Sequence, residues 1–510
     1  MAATGTDPRP DGGVSAQTAK SGAWLYARNI VTGFVNISAM AVLARQLDPS
    51  DFALVVLSQV ILRFLSILGD AGVSEYVIYD RAEGREGRVH AAFWLNLVLT
   101  GVTVSAGFAL VSLIAGFYGE RLLAPIMMLA LITYSITQLA VIPDALLKRA
   151  LDYRKLVARD TFLEVTAALS SVLMALWGFG VWSLVIPTAV LAPIRVISVL
   201  YLARWWPRLP LRIRDWRPIA RFTLSALGAN FTNSLTAEGD TLLIGKTLGP
   251  HVLGIYNLAW QTSNFVSRNV TNVLGKLAMP ALSAVAADAD RLRAAYGRMV
   301  RLLAIVSFPF LVGIFVLAEE FILTLYGPRW TGAVLPLRIF LIYALRHVIG
   351  GPPGVIPQVV GRPEILLQFC VGMVPFYLIA LWVGSHYGLL GIAVAVTVIR
   401  TLGGIVSFWI AARLLGDAPF DWVRQVAPPF AASCLMGAVV AGGKALMVPH
   451  GLPPGVILLA LIVVGAAAYL LILRFVYRPL LMEIVKVADS LSVGFGRLMR
   501  RVAGLSPVQA

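Results

Sequence analysis

Apolar runs of about 20 residues, cut by short breaks rich in charge, glycine or proline, fill the sequence from about residue 22 to residue 477. A run of that length is what an α-helix needs to cross a bilayer core at 1.5 Å per residue. Hydrocarbon offers no partner for a bare N–H or C=O, so a chain built this way crosses as helices that bond their own backbone. The breaks place the spans near 22–45, 52–79, 91–117, 122–147, 160–178, 181–203, 220–246, 251–280, 300–325, 331–357, 364–384, 388–412, 426–448 and 454–477. The expected fold is an all-α integral membrane protein of about fourteen transmembrane helices. Composition agrees: 58% of the 510 residues are apolar and 13% charged, against about a quarter charged in soluble chains.

The formal net charge of +16 raises nucleic acid as a partner, and the placement of the basic residues decides against it. With the N-terminus set in the cytosol, loops on that side carry Arg81, Arg85 and Arg88, then Lys148, Arg149, Arg154, Lys155 and Arg159. They continue with the arginines from 204 to 221, with Arg291, Arg293, Arg298 and Arg301, and with a basic tail. The opposite loops hold little beyond Arg45, Arg121, Lys246, Arg329 and Lys444. This is the positive-inside pattern of a multi-pass membrane protein, with both termini cytosolic.

An internal match at an offset of 201 residues sets Arg45-Gln46-Leu47-Asp48-Pro49 against Lys246-Thr247-Leu248-Gly249-Pro250. Each copy is a basic residue, a Leu-x-Pro turn and a new apolar helix. An even number of spans separates the copies, so both halves share one orientation, as in transporters built from parallel repeats. The expected organisation is a disordered cytosolic tail over 1–20, an N-lobe of helices 1–6 over 21–204, a cytosolic linker over 205–219 and a C-lobe of helices 7–12 over 220–413. Helices 13–14 follow over 425–478, then a basic tail over 479–510 whose apolar residues suit either a helix on the anionic inner leaflet or a partly ordered end.

Charge within a span is costly, so residues that keep it face a cavity or pair with one another. Arg28, Arg63, Arg195, Arg268, Arg346 and Arg400 all fall inside spans. Guanidinium stays charged and its planar fork matches phosphate oxygens, so arginines from both lobes suit a cavity for a diphosphate-linked anion. They suit equally well internal ion pairs with Asp70, Glu75, Asp144, Glu164, Glu238 or Asp240. Of these acids, Asp70, Glu75, Glu164, Glu238 and Asp240 are also candidates for coupling transport to protons or sodium. The run Gly350-Gly351-Pro352-Pro353-Gly354 is expected to bend its helix, as a hinge or for packing.

Soluble-enzyme chemistry finds no foothold. The five histidines, His90, His251, His347, His386 and His450, lack partners at metal-ligand spacing, and Cys370 and Cys434 stand alone in apolar stretches. No cofactor, metal or catalytic residue is expected.

Three runs carry a family resemblance: Ala44-Arg45-Gln46-Leu47-Asp48-Pro49-Ser50-Asp51-Phe52-Ala53; Gly69-Asp70-Ala71-Gly72-Val73-Ser74; and Pro143-Asp144-Ala145-Leu146-Leu147-Lys148-Arg149-Ala150-Leu151-Asp152-Tyr153-Arg154. They resemble bacterial polysaccharide-export flippases of the Wzx type, the polysaccharide transporter branch of the multidrug/oligosaccharidyl-lipid/polysaccharide superfamily. The resemblance implies a two-lobe carrier that moves an undecaprenyl-diphosphate-linked oligosaccharide across the inner membrane by alternating access. It further implies the lipid-linked oligosaccharide and membrane lipids as partners, with a polysaccharide polymerase and export machinery downstream. Lipid II flippases and multidrug antiporters of the same superfamily are alternatives, as is a membrane-embedded glycosyltransferase or polymerase.

Overall fold

The computed structural model describes residues 32–33, 35–67, 73–79, 86–149, 153–208, 216–283, 288–349, 356–357, 360, 362–416, 419–478 and 480–482. Among them the chain is helical and contains no strand. The helices are α1 (35–46), α2 (Pro49–Ser66), α3 (Val73–Tyr79), α4 (Glu86–Tyr118), α5 (Leu123–Gln138), α6 (Val141–Arg149), α7 (Tyr153–Leu176), α8 (Trp182–Ala203) and α9 (Trp216–Thr247). They continue as α10 (Gly249–Ser283), α11 (Ala289–Val316), α12 (Ala318–Leu325), α13 (Val334–Ile349), α14 (Pro363–Ser385), α15 (Gly388–Leu415), α16 (Pro419–Met447) and α17 (Pro454–Phe475).

Nine of these among the described residues are long and apolar enough to cross a membrane, and ten if the bent pair α5 and α6 is one span. Helices α7, α9 and α10 fall outside that set because they carry polar residues: α9 has Asn230, Asn233, Glu238, Asp240 and Lys246, and α10 has His251, Asn257, Gln261, Arg268 and Lys276. The apolar side chains face outward in a way no soluble protein shows. Only a third of the most apolar stretch of α17 is buried, and Leu459, Ile462, Val463 and Phe475 are exposed. An apolar exterior on that scale is a lipid-facing surface.

Local chemistry explains where helices begin and end. The Asp51 carboxylate accepts from the Asp48 N–H at 3.2 Å and Pro49 occupies the first turn of α2, so the Leu-Asp-Pro-Ser-Asp run is a helix start signal. Its repeat partner sits at the α9–α10 junction, where Gly249 holds φ at +82°, a conformation that favours glycine. Gly178 and Gly180, at φ +82° and +56°, turn α7 into α8 within a few residues. Prolines inside α8, α11, α14 and α16 are tolerated in membrane helices. Nearby hydroxyls donate to backbone oxygens of their own helices, Thr188 to Val185 O at 2.8 Å and Ser433 to Pro429 O at 2.8 Å.

Two expected spans are broken. The run 122–147 becomes α5 and α6, bent by 42°, and 300–325 becomes α11 and α12 with Leu317 at the break. Within 52–79, α2 stops at Ser66 and α3 resumes at Val73; the intervening Gly69-Asp70-Ala71-Gly72 lies outside the described residues. The Gly350–Gly354 run and the expected tail helix beyond residue 482 also lie outside them.

The chain divides into two compact units, Met1–Ser234 and Leu235–Ala510. The division falls inside α9, not in the loop before it. In the first unit, the start of the expected linker is fastened to α4: Trp205 stacks on His90 at 5.1 Å, Trp94 donates to Arg208 O at 3.1 Å, and the Arg208 N–H donates to His90 Nδ1 at 3.1 Å. In the second unit, Tyr469 of α17 donates to Ile305 O of α11 at 2.8 Å. Leu480 and Leu481, beyond α17, are buried beside Ile305 and Ala432. The first residues of the tail therefore pack on protein.

Candidate functional site

Among the described residues, charged side chains on the helices gather in both units. In the first, the α5–α6 bend presents Asp144 to the two helices that follow. Arg159 of α7 donates to Asp144 Oδ1 at 2.8 Å and to Asp160 Oδ1 at 2.7 Å, and Arg195 of α8 reaches Asp144 Oδ2 at 3.4 Å. The Arg159 side chain is 5% exposed and that of Arg195 46%. The first is therefore a neutralised structural cation, and the second a loosely held charge with nearly half of its surface open. The sequence pattern puts Arg159 in a loop; it lies in the second turn of α7 because the helix already begins at Tyr153.

The second unit gathers more. Arg346 of α13 and Arg400 of α15 each lie twelve residues after the start of their helices, about 18 Å along at 1.5 Å per residue. Arg400 donates from Nη2 to Thr236 O at 2.8 Å, with Ala237 O and the Tyr377 hydroxyl both at 3.5 Å. Its guanidinium lies 4.7 Å over the Trp260 ring and 5.5 Å from that of Tyr377, a cation held by aromatic faces. Its Nε is buried with no hydrogen-bond partner among the described residues.

Arg346 packs against Gly404, so closely that a Cβ there would fall on the guanidinium itself. Gly404 is one turn beyond Arg400 on the same face of α15, which brings the two cations together along that face. His347, ring to ring with Tyr343 at 5.6 Å, lies in the field of both. Arg346 has no ion-pair or hydrogen-bond partner among the described residues, and it is only partly buried.

Asp240 supplies the negative charge of this cluster. It is 2% exposed, and its Oδ2 accepts from the Tyr256 hydroxyl at 2.6 Å while its Oδ1 accepts from the Thr241 N–H at 2.8 Å. Tyr377 stands between Asp240 and Arg400, packed on Gly239. A polar stretch of α9, an aromatic wall and two arginines thus form one constellation.

The other candidates are placed as follows. Arg63 is exposed in the last turn of α2, since that helix ends at Ser66. Glu164 lies half-buried in α7 and Glu238 half-buried in α9. Arg268 belongs to α10 and Glu75 to α3, with side chains outside the described residues, as are Arg28 and Asp70 altogether. Among the described residues no group of His, Cys, Asp or Glu could hold a metal ion, and both cysteines are free.

Sequence reading misses the aromatic members: Tyr256, Trp260, Tyr343 and Tyr377. A signal is present. Tyr256 and Trp260 are one turn apart on α10, and Phe340, Tyr343 and His347 follow helical spacing on α13. Trp260 meets Phe340 at 5.1 Å and Tyr343 at 5.8 Å.

This arrangement occurs in a chain whose relatives are known. The chain is 25% identical to the teichuronic acid biosynthesis protein TuaB of Bacillus subtilis over 81% of its length and 86% of that protein. It is 24% identical to the succinoglycan biosynthesis transport protein ExoT of Rhizobium meliloti over 61% of its length and 63% of that protein. Its fold is similar to that of the lipid II flippase MurJ in an inward closed conformation, with a TM-score of 0.69 at 13% identity over 89% of this chain and 99% of that one. A family profile described as "Polysaccharide biosynthesis protein" matches residues 42–335. With more than half of its length so matched, the chain belongs to the polysaccharide biosynthesis protein family.

Proposed function

We propose that this protein is a flippase that moves a lipid-linked oligosaccharide across the membrane for the synthesis of a cell-surface or secreted polysaccharide. Its relatives carry names of polysaccharide biosynthesis and transport, and its fold is that of a flippase. The observation that carries the reading at the residue level is Arg346. A guanidinium in the last turn of α13 with no hydrogen-bond or ion-pair partner among the described residues, packed on Gly404 one turn beyond the aromatic-held Arg400, suits a ligand that brings its own negative charge. A diphosphate offers that charge with oxygens spaced for a planar fork. Arg195, half-exposed beside Asp144, is the corresponding cation of the first unit.

In this reading the substrate is an undecaprenyl-diphosphate-linked repeat unit, carried from the cytosolic leaflet by alternating access and handed to a polymerase and export machinery. The basic ends of the helices lie in the cytosol: Arg291, Arg293 and Arg298 near the start of α11, Arg413 in the last turn of α15 and Arg474 in that of α17. The membrane is then a bacterial inner membrane and both termini are cytosolic. Asp240 is the group we assign to ion coupling, because it is the buried carboxylate nearest the arginine pair.

The test is leaflet transfer in vesicles. The purified protein, reconstituted with a labelled undecaprenyl-diphosphate-linked sugar, is expected to expose the label on the opposite leaflet without changing its mass. The Arg346→Gln/Arg400→Gln variant is expected to slow transfer by at least about ten-fold, the worth of a single charge-assisted hydrogen bond of about 1.5 kcal/mol. Unchanged transfer by that variant removes the arginine site, and a new glycosidic product removes the flippase.

A further inference from the structure

A cavity of about 390 Å³ opens in the second unit, away from the arginine pair, and nothing in the transport reading uses it. Its walls are α11 at Arg301, twelve residues beyond the start of that helix, the second turn of α16 and the chain just beyond α17. Arg301, Arg424, Gln425 and Tyr477 give it polar groups, and Val476 and Leu480 an apolar side. All three elements bring the same end of the unit together, since α11 and α16 begin there and α17 finishes there. That end also carries Arg291, Arg293, Arg298, Arg474 and Arg478. Of the acids at that end, Asp288 and Asp290 are engaged by Arg291 and Arg293 at 3.1 Å, and Asp421 lies in the first turn of α16, fewer than the arginines gathered there. The local field is positive.

The surroundings of the cavity narrow the ligand further. Arg424 is exposed and has no hydrogen-bond or ion-pair partner among the described residues. Phe475 and Val476, exposed by 77% and 60%, form an apolar strip beside the mouth. A molecule that fits has a compact anionic head for the arginines and long apolar chains for the strip. The volume suits a small headgroup; a diphosphate bearing several sugars is too large for it.

We propose that this cavity binds the phosphodiester headgroup of an anionic phospholipid from the inner leaflet, with the acyl chains lying along Phe475 and Val476. Basic pockets between membrane helices on the cytosolic side recognise such headgroups by the same physics. The bound lipid spans α11, α16 and the end of α17, and so fastens the last two helices to the rest of the second unit.

The full-length protein in nanodiscs of phosphatidylcholine with a minor share of phosphatidylglycerol provides the test, read by native mass spectrometry of the lipids that stay bound on release. The variant Arg301→Gln/Arg424→Gln is expected to retain phosphatidylglycerol at least about five-fold less often than the parent, with phosphatidylcholine unchanged. Arg424→Gln alone removes an exposed side chain and leaves folding intact, and is expected to show a smaller loss of the same lipid. The control Arg291→Gln/Arg298→Gln removes equal charge from the same end outside the cavity and is expected to reduce retention by less than about two-fold. Equal retention by parent and cavity variant overturns the proposal. Equal loss in cavity and control variants also overturns it, by assigning the effect to diffuse surface charge. Displacement of the lipid by inorganic phosphate overturns it too, by identifying a free-anion site instead.

Discussion

Arg400 of α15 donates to the main-chain oxygen of Thr236 in α9 at 2.8 Å, which ties the polar stretch of α9 to a helix 164 residues later in the chain. The same guanidinium lies over the Trp260 ring. An ammonium can make either contact singly, but only the planar fork of arginine lies flat on the ring while donating in fixed directions to α9. Arg400→Lys is therefore expected to reduce leaflet transfer nearly as far as Arg400→Gln, by about ten-fold or more. Rates of the two variants in matched vesicles check this; full activity of the lysine variant shows that charge alone suffices.

Gly404 sets the position of Arg346. A methyl group there occupies the space of the guanidinium, so Gly404→Ala must push Arg346 out of its place or strain α13 against α15. The expected result is a transfer rate as low as that of Arg346→Gln, together with a lowered thermal midpoint in detergent. Adding Arg346→Ala to Gly404→Ala is expected to recover the midpoint and leave the rate low, because the space is relieved but the cation is gone.

Asp144 balances two arginines of very different burial. Asp144→Asn leaves Arg159, 5% exposed, with Asp160 as its remaining ion-pair partner at 2.7 Å, and is expected to cost about 2–3 kcal/mol. Arg195→Gln removes an ion pair of 3.4 Å from a side chain that is 46% exposed. It is expected to change stability by less than about 1 kcal/mol while lowering transfer. Thermal unfolding and vesicle transfer measured on the same preparations separate a structural role from the transport role proposed for Arg195.

The run Pro143-Asp144-Ala145-Leu146 that carries part of the family resemblance is thus explained by packing: Asp144 at the bend between α5 and α6 holds α7 and α8. In the same way, Leu-Asp-Pro-Ser-Asp is a helix start. The spans themselves are legible because bilayer thickness imposes a length on every apolar run, and that rule acts locally. The site is only partly legible. Arginines within spans stand out in any apolar text, so Arg346 and Arg400 are visible. Their grouping depends on which faces of α13 and α15 meet, and that is fixed by Gly404, a residue whose meaning lies in what it lacks. Tyr256, Trp260, Tyr343 and Tyr377 read as ordinary core. Arg159 reads as a loop charge, because nothing local announces that α7 begins several residues earlier than its apolar run.

Lys444 of α16 bonds Glu320 of α12 at 2.7 Å and approaches Glu319 at 3.6 Å. The two acids are adjacent, but Glu320 is 6% exposed and Glu319 53%. Burial makes the first pair costly to break and solvent makes the second almost free. Glu320→Gln is expected to cost about 2–3 kcal/mol, and Glu319→Gln less than about 0.5 kcal/mol, read as shifts of the unfolding midpoint.

Asp240 is where the proposed ion coupling can be tested apart from substrate binding. Its two oxygens accept from the Tyr256 hydroxyl and the Thr241 N–H, and no arginine or lysine lies within ion-pair distance of it among the described residues. A buried carboxylate held by neutral donors inside a membrane helix is a candidate site for a coupling ion. Asp240→Asn keeps the shape and most of the hydrogen bonding while removing that capacity. The expected outcome is loss of the acceleration that an imposed proton or sodium gradient gives the parent protein, with passive exchange of the labelled lipid retained. Imposing each gradient separately on the same vesicles identifies the ion. An Asn variant that still responds to both gradients assigns Asp240 to structure, as the anchor of Tyr256, and moves the search for coupling to Glu238, half a turn earlier on α9.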